Sequence, residues 1–154
     1  TATALFDLAS AGWLDALAAA LAADRRPLLS CLSYDGRIAL APAHPLDAAM
    51  IRAFNAHQTT DKGLGGPAAG PGAHGDLARA LAARGYRVDE DDTPWRLEAG
   101  RDGALIDAIL RGWAGAVAGF AGITPAMAAD WLGARRAATA ALAIGHRDLY
   151  ARPG

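Results

Sequence analysis

The stretch from Pro27 to Tyr34, PLLSCLSY, decides the fold of this 154-residue chain. A nearly continuous apolar run of this length is typical of a strand buried on both faces of a sheet. Because helices must cover both faces of such a sheet, the run predicts an α/β architecture. The dipeptide Asp35-Gly36 then predicts a tight turn, after which residues 37–40 return as a short strand.

Helical and extended patterns alternate outward from this run. Apolar spacings of three and four residues predict helices over 4–24 (with a break near Ser10 and Gly12), from 46, over 76–84, over 102–120 and from Thr124. Extended segments are predicted at 86–88, 94–98 and 141–150, with an acidic turn at 89–92. Residues 59–75, rich in Gly and Pro, predict a long functional or disordered loop. With only about three strands, the pattern suits part of a larger sheet better than a complete one.

Composition narrows the functional classes. The net charge of −1 and the 20% of charged residues give no field that attracts nucleic acid or a membrane surface. The single cysteine, Cys31, excludes a disulfide framework, and His44, His74 and His146 lack companions at metal-ligand spacing. No apolar stretch has the length of a membrane span, and no signal peptide is evident, so a cytoplasmic setting is expected.

Polar side chains capable of chemistry are concentrated at residues 57–63. Lys62 is the only lysine beside fourteen arginines, which suggests a required point charge or a chance survivor. His57 closes an apolar helix face, so a structural histidine is the alternative to a catalytic one. Gln58 stands at the mouth of the glycine-rich loop.

Three further positions are candidates. Tyr34 offers a hydroxyl or a stacking face, and Asp35 offers a carboxylate that orients substrate or takes a proton, unless both belong to an ordinary turn. Trp95 lines a pocket or is simply packed. Helical spacing assigns the other tryptophans to the core, and the pair Arg135-Arg136 to a solvated face.

Five segments, in this order, carry a family resemblance. They are TATALFDLAS at 1–10 followed by Trp13-Leu14, LSYDGR at 32–37, DAAMIRAFNAHQTTDKG at 47–63, PWRL at 94–97 and GHRDL at 145–149. In this combination the chain resembles the C-terminal half of a bacterial class I S-adenosylmethionine-dependent methyltransferase.

The resemblance implies a Rossmann-like sheet with helices on both faces. Its last two strands would form an antiparallel pair with two helices inserted between them. The glycine-rich loop and the ribose-binding acid of that family have no counterpart here, so the chain is expected to be a single or partial domain without the cofactor-binding half. Thr1, Ala2 and Thr3 would then face the cofactor's methyl group.

The implied activity is methyl transfer to a small-molecule acceptor. Asp35 or His57 would orient or deprotonate the acceptor, Lys62 would pair with an anionic part of it, and Tyr34, Gln58 and Trp95 would line its site. Two alternatives stay open: a non-catalytic ligand- or partner-binding module on a degenerate methyltransferase scaffold, and a structural domain that forms a homodimer through its exposed half-sheet. No metal, nucleic acid or membrane is expected as a partner.

Overall fold

A computed structural model describes residues 1–154 and contains five strands and five α-helices. In chain order the elements are β1 (Ala2–Thr3), α1 (Ala11–Ala23), β2 (Leu28–Ala41), α2 (Asp47–Gln58), α3 (Ala73–Ala82), β3 (Tyr86–Asp92), β4 (Trp95–Glu98), α4 (Ala99–Val117), α5 (Pro125–Ala138) and β5 (Ala141–Pro153). Two short 3-10 helices, Phe6–Leu8 and Gly70–Gly72, precede α1 and α3. No helix combines the length and the apolar character that crossing a membrane requires.

The strands form one mixed sheet in the order β1-β2-β5-β3, and β4 also pairs with β5. β1 is parallel to β2, whereas β3 and β4 are both antiparallel to β5. The α/β class is therefore confirmed. The expected antiparallel pair is also present, because β4 and β5 pair directly and α4 and α5 lie between them in the chain.

The prediction of a tight turn at Asp35-Gly36 was wrong. Both residues lie within β2, which is a single strand of 14 residues. Gly36 does adopt the positive φ, 88°, that made the dipeptide look like a turn. A second positive φ, 58°, occurs at Leu32, whose N–H donates to Asp148 Oδ1 at 2.8 Å. These local deviations therefore occur within a strand that does not reverse.

Other element boundaries also differ from the sequence prediction. The acidic run at 89–92 is part of β3, not a turn, since it pairs residue by residue with β5. α3 begins at Ala73, inside the segment expected to lack regular structure. The sheet has five strands instead of about three: the predicted extended segment at 94–98 forms a strand of its own, and the two-residue β1 is too short to produce an apolar pattern.

The chain divides into two compact units, each assembled from separate stretches of sequence. The first unit contains Thr1–Arg37, Gln58–Pro94 and Gly145–Gly154, and the second contains Ile38–His57 and Trp95–Ile144. β2 and β5 each contribute residues to both.

The core of the first unit lies where α1 and α3 pack together and meet the sheet. The side chain of Tyr86 is buried at the start of β3, and its hydroxyl oxygen lies 2.8 Å from the carbonyl oxygens of Leu21, in the last turns of α1, and of Arg26, just after α1, between which its one proton is shared. The largest buried apolar side chains are those of Phe6, Leu14, Leu28, Leu77, Leu81, Tyr86 and Leu149.

The second unit is built around the pair α4 and α5. Trp113 and Trp131 are buried there, as their helical spacing predicts. The assignment of Arg135 to a solvated face was wrong, because its side chain is 2% exposed. The guanidinium donates to Asp47 from Nε at 2.9 Å and to the carbonyl of Pro42 at 2.7 Å. A buried guanidinium with these partners satisfies its hydrogen bonds inside the protein.

Candidate functional site

The glycine-rich segment after α2 is attached to the start of α1. Ser10 donates its N–H to the carbonyl of Leu64 at 3.0 Å, and the carbonyl of Ala9 accepts from the N–H of Ala69 at 2.7 Å. Isolated bridges join Ser10 to Ala68 and Asp61 to Pro67. The long loop is therefore ordered by backbone hydrogen bonds to residues that are distant in sequence.

Lys62 and Gln58 lie in or next to this segment. Lys62 Nζ donates to Thr60 Oγ1 at 2.9 Å, so the ammonium is engaged by a hydroxyl of the same loop. Gln58 ends α2, and its carbonyl lies against Gly70, where an added Cβ would approach to 3.3 Å. Both side chains are half-buried, and neither lines the charged cleft described below.

The first residues of the chain form β1 and lead into a short helical turn. Ala2 and Thr3 pair with Ser30 and Cys31 of β2, and both threonines at this end are exposed. Asp7 follows on the 3-10 helix, where its Oδ1 is buried and has no hydrogen-bond partner. Burial raises the pKa of the Asp7 carboxyl, and a backbone hydrogen bond and His146 oppose that rise.

Tyr34 and His146 are neighbours in the interior of the first unit. Both are buried, with ring centroids 6.4 Å apart in an edge-on arrangement of 65°. Burial, followed by the charges of Asp35 and Asp7, raises the pKa of the Tyr34 hydroxyl far above its usual value. Tyr34 therefore keeps its proton and is a neutral hydroxyl near the carboxyl groups of Asp35 and Asp7 and the imidazole of His146.

Asp35 is held in an ion pair. Arg37 donates to it from the backbone N–H at 3.0 Å and from Nε at 2.7 Å, and also contacts Asp92 of β3. These two carboxylates raise the pKa of the Arg37 guanidinium further above its ordinary range. Asp35 also lies against Gly145, where an added Cβ would come within 2.0 Å of its Oδ1.

An open cleft of about 530 Å³ lies beside this ion pair. His74, at the start of α3, is 4% exposed, and its Nε2 lies 2.5 Å from Glu90 Oε1. The residues lining the cleft come from β2, β3, β5 and the start of α3, and they are Asp35, Arg37, Pro71, Gly72, His74, Gly75, Asp76, Arg79, Glu90, Asp92 and Arg147. Charged groups of both signs therefore surround it.

Two predicted site residues belong to the second unit. His57 packs edge-on against Phe120, with centroids 5.5 Å apart and planes at 87°. Trp95 lies in β4 opposite Ile144 and is 37% exposed, so it is less buried than the packed alternative supposes. No cluster of three or more His, Cys, Asp or Glu side chains could hold a metal ion.

Sequence reasoning missed Asp7, His146, His74, Glu90 and Arg147 as site candidates. Glu90 contacts His74 from β3, a partner that spacing along the sequence does not indicate. Asp7 and His146 lie inside segments that carry the family resemblance, which was the only available signal for them. No spacing rule relates residues that are brought together by separate strands and a helix.

Comparison of the chain with family models, curated proteins and solved structures finds no match.

Proposed function

We propose that this chain forms the substrate-side part of an enzyme that transfers a methyl group from S-adenosylmethionine to a small-molecule acceptor. The observation that carries the proposal is Asp7, a half-buried residue whose Oδ1 is buried and unpartnered and whose carboxyl has a raised pKa, within the segment that resembles the methyltransferases. Carboxyl groups with raised pKa values are concentrated at functional sites, where they act as acids and bases.

The chain's own residues would align the acceptor and receive its proton. S-adenosylmethionine, when bound, would supply a sulfonium methyl group that a nucleophilic atom of the acceptor attacks in line, with S-adenosylhomocysteine as the leaving group. Asp7 Oδ1 would accept the proton that such a nucleophile loses, while Tyr34 would donate a hydrogen bond from its protonated hydroxyl. Asp35, held by Arg37, would orient the acceptor, and His57 stays the alternative base that the sequence predicts.

Thr1, Ala2 and Thr3 would hold the cofactor on this side. The structural feature that suits such a ligand is the buried oxygen of Asp7, which lacks a donor in the folded chain. A ligand that brings positive charge or an O–H or N–H group offers what this oxygen lacks. The antiparallel pairing of β4 with β5 around α4 and α5 also supports the proposal, because the family resemblance implies that arrangement.

Calorimetric titration of S-adenosylhomocysteine tests the proposal. It is titrated into the 154-residue chain and into the product of the complete open reading frame, with adenosine monophosphate as the matched control ligand. Binding of S-adenosylhomocysteine but not of the monophosphate by the complete product is expected. If neither protein binds it, the methyltransferase proposal fails. The non-catalytic ligand- or partner-binding module then becomes the better account.

A further inference from the structure

The sheet of the second unit has one face that is open to solvent. In the register of β4 with β5, Arg96 lies opposite Ala143 and Glu98 lies opposite Ala141, and residues paired in this way lie on the same face. Leu142 lies between the two alanines, so it points to the other face, where it is 1% exposed. The core of the unit therefore lies on the side of Leu142, and the paired alanines lie on the opposite side.

The open face is apolar at its centre and charged beside it. Ala39 and Ala41, which are exposed on β2, line the same shallow groove of about 240 Å³ as the two alanines of β5. A sheet face that remains in water usually carries polar side chains, and this one carries four methyl groups instead. We call it the alanine face and define it by Ala39, Ala41, Arg96, Glu98, Ala141 and Ala143.

The outer edge of β4 is less accessible than this face. Arg101 donates to the carbonyl of Arg96 at 3.1 Å, and Asp102 accepts from the N–H of Glu98 at 3.0 Å. A strand of another chain could pair with these backbone groups only by displacing both side chains, which belong to the first turns of α4. An association that uses this part of the sheet therefore goes through the alanine face and not through the edge.

Arg96 and Glu98 give the alanine face a self-complementary pattern of charge. They have opposite signs, stand two residues apart on one strand and are both exposed, and neither forms a salt bridge with another group of the chain. Suppose that two copies of the face are stacked about a two-fold axis that crosses β4 at Leu97. Arg96 then lies over Glu98 of the second copy, and the reverse contact follows by symmetry.

We propose that the alanine face is the surface through which two copies of this chain associate. Sheets that pack face to face lie about 10 Å apart, a distance that the long side chains of Arg96 and Glu98 can bridge together while the small alanines leave the approach free. Four alanines bury little apolar area, so the association is weak and the two charge pairs fix its orientation. It stands whether or not the chain takes part in methyl transfer.

Sedimentation velocity of the 154-residue chain tests the proposal. It is carried out over a wide range of protein concentration at low ionic strength, where charge pairs are least screened. The parent chain should show a reversible monomer–dimer equilibrium. Arg96→Glu places two carboxylates in each charge pair, and Glu98→Arg places two guanidinium groups there, so each variant alone should associate about tenfold more weakly or less.

A mixture of Arg96→Glu with Glu98→Arg is the decisive sample. Between these two chains each charge pair again joins a carboxylate to a guanidinium, so the mixture should associate about as well as the parent does. Recovery on mixing cannot come from variants that have simply failed to fold. The double variant Arg96→Glu, Glu98→Arg should likewise dimerise with itself.

Two further variants complete the test. Arg87→Glu reverses an exposed charge on β3, outside the alanine face, and should associate like the parent. Ala39→Gln adds an exposed side chain, so it should weaken association without lowering the melting temperature. The proposal is overturned if the parent stays monomeric, if the mixture associates no better than its two components, or if Arg87→Glu weakens association as much as Arg96→Glu does.

Discussion

At the scale of single residues, Gly145 leaves the space that the Asp35–Arg37 ion pair occupies, because glycine has no side chain. An added Cβ would lie 2.0 Å from Asp35 Oδ1 and 2.8 Å from Arg37 Cβ. Because Arg37 holds the Asp35 carboxylate, that oxygen cannot simply rotate away. We expect Gly145→Ala to lower the free energy of unfolding by about 2 kcal/mol or more, as overpacking in a core does. Urea denaturation monitored by circular dichroism measures it.

The matched control for this substitution is Gly133→Ala. Gly133 lies in α5 with nothing within 4 Å of an added Cβ. Alanine is the better helix former, so this variant should be unchanged or more stable by up to about 1 kcal/mol. Equal stability of the two variants would show that Asp35 and Arg37 can move aside for a Cβ at position 145.

Asp7 predicts a pH dependence of stability. Its pKa is raised from 3.8 chiefly by burial, so the folded state binds this proton more tightly than the unfolded state does. The stability contribution of the protonated form is complete below pH 3.8 and is lost as the pH rises through the folded-state pKa. Asp7→Asn should therefore melt at a higher temperature than the parent at pH 7, and the difference should shrink toward pH 4.

Differential scanning fluorimetry across that pH range checks the Asp7 prediction. The control is Asp130→Asn, which removes the same negative charge at an exposed position of α5 and should show no comparable trend in melting temperature. A lower melting temperature for Asp7→Asn at pH 7 would mean that the buried carboxylate is stabilising, contrary to the argument from desolvation.

At the scale of elements, two adjacent arginines of α5 have opposite environments. Arg135 is 2% exposed and binds Asp47 of α2, whereas Arg136 is half-exposed and pairs with Asp107 of α4. Removing one member of a buried pair leaves an uncompensated charge, which costs about 3–5 kcal/mol. Arg135→Ala should therefore be strongly destabilising, and Arg136→Ala should cost at most about 1 kcal/mol.

Chemical denaturation of these two variants decides the point. A similar small effect of both would show that Asp47 relaxes toward solvent once Arg135 is gone. Arg135→Met should be destabilising as long as Asp47 keeps its charge. Adding Asp47→Asn or Asp47→Ala in the same background should relieve that loss, since the buried carboxylate is the source of the cost.

The start of α5 was predictable from sequence at this scale because capping is local chemistry. Thr124 accepts from the N–H of Met127 at 3.1 Å, as the Thr-Pro signal predicts for α5. Ser10 likewise caps α1 through the N–H of Trp13 at 3.1 Å, at the predicted break. The Asp35-Gly36 signal was misleading, because a positive φ at glycine is compatible with both a turn and a deflected strand.

At the scale of the whole molecule, the amino-acid sequence by itself determined the α/β class, the helices and the tryptophans that fill the core of the second unit. These features follow from apolar periodicity and capping, which act between residues near in sequence. It also placed Tyr34 and Asp35 among the candidate site residues, and the structure finds them beside His146 and Arg37 respectively.

Only the tertiary structure decided the strand order, the continuation of β2 and the partners of the charged groups. Glu90 meets His74, and Asp47 meets Arg135, across separate elements. A charge of either sign is compatible with an exposed or a buried position, so composition and spacing cannot tell which carboxylate will satisfy which cation. That choice depends on long-range packing, which brings the partners together and removes the water that would otherwise serve them.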